Sequence, residues 1–184
     1  MAVPVPATFY AGQRLRAADM NAQVRDVANW TMAGKTCRAV RAGAQSIADD
    51  GNYHSILLTS EDFDPLAWHD NSTYPNIIVP SIEGYYHVDA CVEFVRDTAP
   101  APYGIRELVI RAHAYGAGPF MFAGTSQPGD PNYPTRLAVS TVVYQNGTSD
   151  YIDMAVFQDS GAALSTSVAT GFNTSLCVTL IGTA

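Results

Sequence analysis

Residues Tyr85 to Val95 alternate strictly between two kinds of side chain. Tyr86, Val88, Ala90, Val92 and Phe94 interleave with Tyr85, His87, Asp89, Cys91 and Glu93. Successive side chains of an extended strand point to opposite faces, so period two with one apolar set predicts a strand with one face on a core. Residues 105–114 repeat the pattern, with Leu108, Ile110 and Ala112 inward against Glu107, Arg111 and His113. Residues 172–181 repeat it again, with Phe172, Thr174, Leu176, Val178 and Leu180 against Asn173, Ser175, Cys177 and Thr179. Shorter candidates are 37–42, 53–59, 76–80, 137–145 and 149–157. The last two flank Asn146-Gly147, which predicts a hairpin because both residues accept φ > 0. The stretch 115–136, with four prolines and four glycines, reads as the longest loop. About eight strands without a second helix define a mainly β, antiparallel sandwich or jelly roll.

The opening differs. Two prolines among small residues in Met1–Thr8 predict an extended arm. Residues 17–33 predict one short α-helix, in which Met20, Val24, Val27 and Thr31 form an apolar stripe with Ala28 beside it and Trp30 near the end. Gly34 suits the residue after its C-terminus. Such a rod, roughly 25 Å long, is marginal alone in water and must pack on something. The expected division is an arm and helix over 1–36 and a β domain over 37–184.

Composition narrows the classes. Hydrophobic residues are 47% and charged residues 15% of the 184, which excludes bulk disorder. A charged fraction below the usual quarter fits a surface partly covered by other copies of the chain. Residues 1–48 carry six basic residues against two acidic ones, a net of +4, and the rest carries a net of −11. That acidic body argues against nucleic acid, whose phosphates demand a basic face. The split suggests two surfaces with different partners, or a helix with a solvated basic face. No run of eighteen apolar residues offers a membrane-spanning helix. Met1–Tyr10 lacks the basic flank and apolar stretch of a secretion signal, so the chain is expected in the cytoplasm that makes it, or released by lysis.

Chemistry-bearing motifs are sparse. Cys37, Cys91 and Cys177 have neither disulfide nor zinc spacing and read as buried free thiols. His54, His69, His87 and His113 form no ligand pair at metal spacing, although His87 and His113 would approach if their strands paired. Glu61-Asp62-Phe63-Asp64 offers hard oxygens without the spacing of a calcium loop. No nucleophile elbow, P-loop or dinucleotide fingerprint occurs. The expectation is therefore no catalytic residue, no metal and no cofactor. Trp68, Tyr74, Tyr103, Phe120, Phe122 and Tyr133 lie outside the clean strands. They are candidates either for stacking on a glycan or for filling gaps at the domain ends.

Two segments resemble known families. Phe9-Tyr10-Ala11-Gly12-Gln13-Arg14-Leu15, then Ala17-Ala18-Asp19-Met20-Asn21 and Val24-Arg25-Asp26, resembles the opening of small virion proteins of phages that infect actinobacteria, labelled minor tail or head-associated proteins. Arg16 stands where that pattern has Thr or Ser, a missing cap worth about 1 kcal/mol. Ile77-Ile78-Val79-Pro80, then Gly84-Tyr85-Tyr86-His87-Val88 and a closing Gly171-Phe172…Leu176…Leu180, resembles the complement globular-head and tumour-necrosis-factor-like jelly rolls.

The resemblances imply a non-enzymatic homotrimer carried on a virion assembled in the host cytoplasm. Phe9, Tyr10, Arg14, Leu15, Met20, Val24, Val27 and Trp30 would be the anchor. Tyr86, Val88, Phe94, Phe172 and Leu176 would line either the trimer or the jelly-roll core. The docking partner would be the tail tip or, alternatively, the major capsid protein, with a host-surface glycan as a further ligand. A glycan-binding or glycan-hydrolysing module is the reading from another class.

Overall fold

The computed structural model describes residues 16–17, 25, 28–30, 34–96, 104–113, 120–168 and 172–184. The chain divides into two compact units, Met1–Lys35 and Thr36–Ala184. In the first, Ala17, Arg25 and Ala28–Trp30 are helical. Lys35 Nζ lies 3.8 Å over the Trp30 ring and donates to the Trp30 carbonyl, so one cation holds both the ring and the backbone oxygen of this residue. The anchor candidates Phe9, Tyr10, Arg14, Leu15, Met20, Val24 and Val27 lie outside the described residues, as does the aromatic candidate Tyr103.

The second unit is built of antiparallel strands: β1 (Thr36–Val40), β2 (Ser46–Ile47), β3 (His54–Ser55), β4 (Ser60–Phe63), β5 (His69–Asp70), β6 (Tyr74–Ile78), β7 (Glu83–Phe94), β8 (Ile105–His113), β9 (Phe120–Pro128), β10 (Thr135–Asn146), β11 (Tyr151–Gln158), β12 (Leu164–Ser165) and β13 (Ser175–Thr183). One sheet runs β10-β7-β13-β1-β4. The other runs β5-β6-β11-β8-β9, with β3 also on β11, and β2 pairs with β12. The mainly β, antiparallel jelly-roll expectation holds.

The alternation placed the core correctly. Tyr86, Val88, Ala90, Val92, Phe94, Leu176 and Val178 face Leu108, Ile110, Ala112, Ile152, Met154 and Val156, all of them buried. Side chains of two inner sheet faces interdigitating in this way make a sandwich core. Tyr86 is fully buried, donates its hydroxyl to the Ile82 carbonyl, and meets the Trp68 ring edge-on at 5.5 Å and 76°. Gly84 packs so closely on β13 that an added Cβ would sit 2.3 Å from the Gly182 carbonyl oxygen. There β13 bulges, the register stepping between Leu180 and Gly182 and leaving Ile181 exposed.

Three expectations fail. Asn146-Gly147 does not close a hairpin: β10 pairs with β7 and β11 with β8, so the turn carries the chain from one sheet to the other. The turn chemistry is nevertheless that of Asn-Gly. Gly147 has φ 71°, and Asn146 Oδ1 accepts from the amides of Thr148 (2.9 Å), Ser149 (3.1 Å) and Asp150 (3.2 Å). An added Cβ at Gly147 would lie 2.4 Å from the Glu83 nitrogen. Gly147→Ala is therefore expected to cost about 1–3 kcal/mol, read as a lowered Tm without loss of strand content by circular dichroism. Secondly, the supposed loop 115–136 contains the nine-residue strand β9. Thirdly, Phe172 precedes β13 and is only half-buried, under the Arg136 guanidinium at 5.2 Å, so it is not a core residue.

Candidate functional site

A sandwich buries one face of each sheet and leaves the other to solvent. The outward face of β10-β7-β13-β1 follows from the register. Tyr144 lies opposite Tyr85, Val142 opposite His87, Ser140 opposite Asp89, and Ala138 opposite Cys91. Across β7, Thr179 lies opposite His87 and Cys177 opposite Asp89. The small side chains in the middle leave a hollow of about 340 Å³ lined by Arg38, Asp89, Cys91, Ala138, Ser140 and Cys177. Farther along the same strands, large apolar groups stand open: Tyr85 is 50%, Val142 49% and Ile181 57% exposed. The Tyr85 and Tyr144 rings meet at 5.7 Å and 62°, and Tyr144 donates its hydroxyl to Glu83 Oε1 at 2.6 Å.

A second apolar surface adjoins this face. β9 and β10, edge strands of the two sheets, run against each other along one side, joined by a bond from Gln127 Nε2 to the Arg136 carbonyl. At the start of β9, Phe120, Met121 and Phe122 are 57%, 55% and 48% exposed. The register steps from Ile110↔Ala123 to Arg111↔Met121, which leaves Phe122 as the extra residue of a bulge. Three consecutive large apolar side chains open to solvent on an edge strand mark an interaction surface.

The loop aromatics do not converge. Trp68 is core, with Nε1 donating to Ser81 Oγ at 3.0 Å. Tyr74 and Phe120 are exposed, but on β6 and β9, three strands apart across one sheet, or roughly 14 Å. Tyr133, also exposed, lies in the turn between β9 and β10. Tyr86, Val88, Phe94 and Leu176 belong to the jelly-roll core and are closed to any partner. Residues open to a partner include the outward Tyr85, Val142, Tyr144 and Ile181, with Phe120, Met121 and Phe122. Tyr85 and Tyr144 carry a legible signal, since each is a large aromatic on the polar register of an alternating strand. β9 was masked by its flanking glycines and prolines.

The titratable groups resolve into separate pairs. His87 lies on the outward face of one sheet and His113 on a strand of the other, so their strands do not pair. The calcium candidates are committed to separate partners: Glu61 to His69 Nδ1 (2.7 Å) and Asn71, Asp62 to Arg38, and Asp64 to the His69 amide (2.8 Å). Among the described residues no three ligating side chains gather round one point. Cys37 is buried, and burial first, then the Asp64 charge, pushes its thiol far above the usual range. Cys91 and Cys177 are only half-buried and line the outward hollow, contrary to the expectation of buried thiols. On the other sheet Asp153, 2% exposed, holds Arg111 through two bonds, accepts from Ser55 Oγ and lies 3.2 Å from His113 Nε2. The bond to Asp153 keeps the Arg111 guanidinium above its ordinary pKa.

One arrangement has the connectivity of a nucleophile with its base. His87 Nε2 lies 2.9 Å from Ser140 Oγ, and His87 Nδ1 lies 3.2 Å from Asp89 Oδ2. Acyl transfer also needs amide donors converging on the developing oxyanion and a site closed to water. Here the strand amides lie in the plane of the sheet while the three side chains stand away from it, and the His87 and Asp89 side chains are 43% and 54% exposed. The trio is a polar ladder that offers hydrogen bonds and a titratable proton.

Known structures share this fold. Murine APRIL at pH 5.0 superposes with a TM-score of 0.58 at 11% identity, covering 80% of this chain and 99% of that one. The Eiger TNF of S. frugiperda gives 0.55 at 11% identity, covering 82% and 94%. Murine APRIL at pH 8.5 gives 0.55 at 14% identity, covering 79% and 98%. No family model matches the sequence, and no curated protein matches it. The fold is thus a tumour-necrosis-factor-like jelly roll. No helix among the described residues is long and apolar enough to cross a membrane.

Proposed function

We propose that the chain is a non-enzymatic structural module of a virus particle, a homotrimer held at the tail tip or baseplate by its N-terminal segment. The observation that supports the oligomer is the presence of two exposed apolar patches, one on a sheet face (Tyr85, Val142, Tyr144, Ile181) and one on an edge (Phe120, Met121, Phe122). Two different patches that satisfy each other make a heterologous contact, and such a contact closes into a ring when the rotation permits. Three copies is what the tumour-necrosis-factor-like resemblance implies, and the low charged fraction agrees with it. The particle is supported by the Phe9–Asp26 resemblance and by a +4 opening joined to a −11 body. The small size of the chain also suits a capsid decoration protein.

Immunogold labelling of particles, paired with light scattering of the pure protein, tests both parts. The expected result is label at the tail end and three times the chain mass of 19.7 kDa. Label on the shell would move the protein to the capsid. A single chain mass at micromolar concentration would refute the trimer. Deleting residues 1–34 should abolish loading onto particles while the strands of Thr36–Ala184 still fold.

A further inference from the structure

Among the described residues, the sheet face that the trimer would bury carries two carboxylates without a dedicated cation: Glu83, which accepts from the Tyr144 hydroxyl at the end of β7, and Asp89. Asp89 stands on β7 at the rim of the hollow, opposite Ser140 of β10 and Cys177 of β13. The groups facing His87 are Asp89 and Tyr85 from its own strand, Ser140, Val142 and Tyr144 from β10, and Thr179 and Cys177 from β13. From β1, Thr36 and Arg38 follow in the same rows. Arg38 is engaged by Asp62. Among the described residues, the group beside Asp89 that can neutralise it is the imidazole of His87, 3.2 Å away.

We propose that assembly through this face is gated by the proton on His87 and tightens as the solution becomes more acidic. This rests on the reading of the face as the contact between copies. While the face is open, water solvates the Asp89 carboxylate whether or not His87 is charged. Covering the face removes that water, and a lone buried carboxylate is far more costly than one paired with a cation. A neutral imidazole gives Asp89 one hydrogen bond from Nδ1–H and leaves Nε2 to accept from the Ser140 hydroxyl. A protonated ring gives the same bond plus a positive charge, and the Ser140 hydroxyl turns to accept from Nε2–H. The assembled state therefore holds the His87 proton more tightly than the free chain, and assembly takes protons up. The sign follows: the contribution is full at low pH and is lost as pH rises through the range where imidazoles titrate, roughly pH 5 to 8. The net charge of −7 per chain pushes in the same direction, because each proton gained lowers the repulsion between copies.

Sedimentation velocity on the full chain over a concentration series, at about pH 8 and about pH 5.5, measures this directly. The midpoint concentration for assembly should fall on the order of tenfold on acidification. His87→Gln should remove most of that change by leaving assembly weak at both values. Asp89→Asn should remove it the other way, assembling at the higher pH as tightly as the unmodified protein does at the lower. Assembly that is independent of pH, or an undiminished response in His87→Gln, would overturn the proton gate while leaving the oligomer standing. A chain that stays monomeric at both values would overturn the gate together with the trimer.

Discussion

Tyr86→Ala is expected to remove about 3–5 kcal/mol of folding stability, the range for emptying a fully buried aromatic site. Tyr86 lies near the start of the inward face of β7, the strand hydrogen-bonded to both β10 and β13. Its ring supports Trp68, and its hydroxyl ties β7 back to the Ile82 carbonyl. Burial also holds its phenol far above the ordinary pKa, so the group stays neutral wherever the fold survives. Since small domains are stable by only about 5–15 kcal/mol, the alanine variant should sit near the edge of folding. Urea unfolding followed by tryptophan fluorescence measures the loss. Tyr86→Phe separates the parts: it keeps the ring packing and leaves the Ile82 carbonyl without its donor, for about 1–3 kcal/mol. A loss below about 1 kcal/mol for Tyr86→Ala would show that the Tyr86–Trp68 pair is not central to the core.

Asp153→Ala is expected to be nearly as damaging, about 3–5 kcal/mol, for an electrostatic reason. One buried carboxylate satisfies the Arg111 guanidinium, the Ser55 hydroxyl and His113 Nε2, and the His113 ring stacks on Tyr151 at 4.1 Å. Removing it leaves a guanidinium with little solvent and no counter-charge. The double variant Asp153→Leu with Arg111→Met should recover much of the loss, because removing both charges removes the desolvation cost as well. Chemical denaturation of the two single variants and the double gives the coupling. If the double is as unstable as the sum of the singles, the pair contributes nothing as a pair.

The β7 alternation was legible because a strand buried on one face must repeat every two residues, whatever it packs against. For the same reason Leu108, Ile110, Leu176 and Val178 could be assigned inward from their own segments. The pattern was blind where the physics is not local. The segment of β9 has the composition of a loop, because Gly124 and the flanking glycines and prolines disfavour strands, yet it pairs along β8 from Ile105 to Ala112. Asn146-Gly147 correctly announced a tight turn with φ > 0, but nothing in the dipeptide says which sheet the next strand joins. Trp68 looked like loop because no periodicity surrounds it, and it is buried because β7 supplies Tyr86 beneath it.

The candidate surface was half visible. Each large outward residue, Tyr85, Val142 or Tyr144, could be noticed alone. That they form one patch, with Ile181 raised by a bulge and Phe120–Phe122 on the adjoining edge, depends on strand order and register. The sequence by itself determined which side of each clean strand is buried, because burial on one face is written into a period of two. Only the tertiary structure decided which outward residues share a surface, because neighbours in a sheet are set by pairing between segments far apart in the chain.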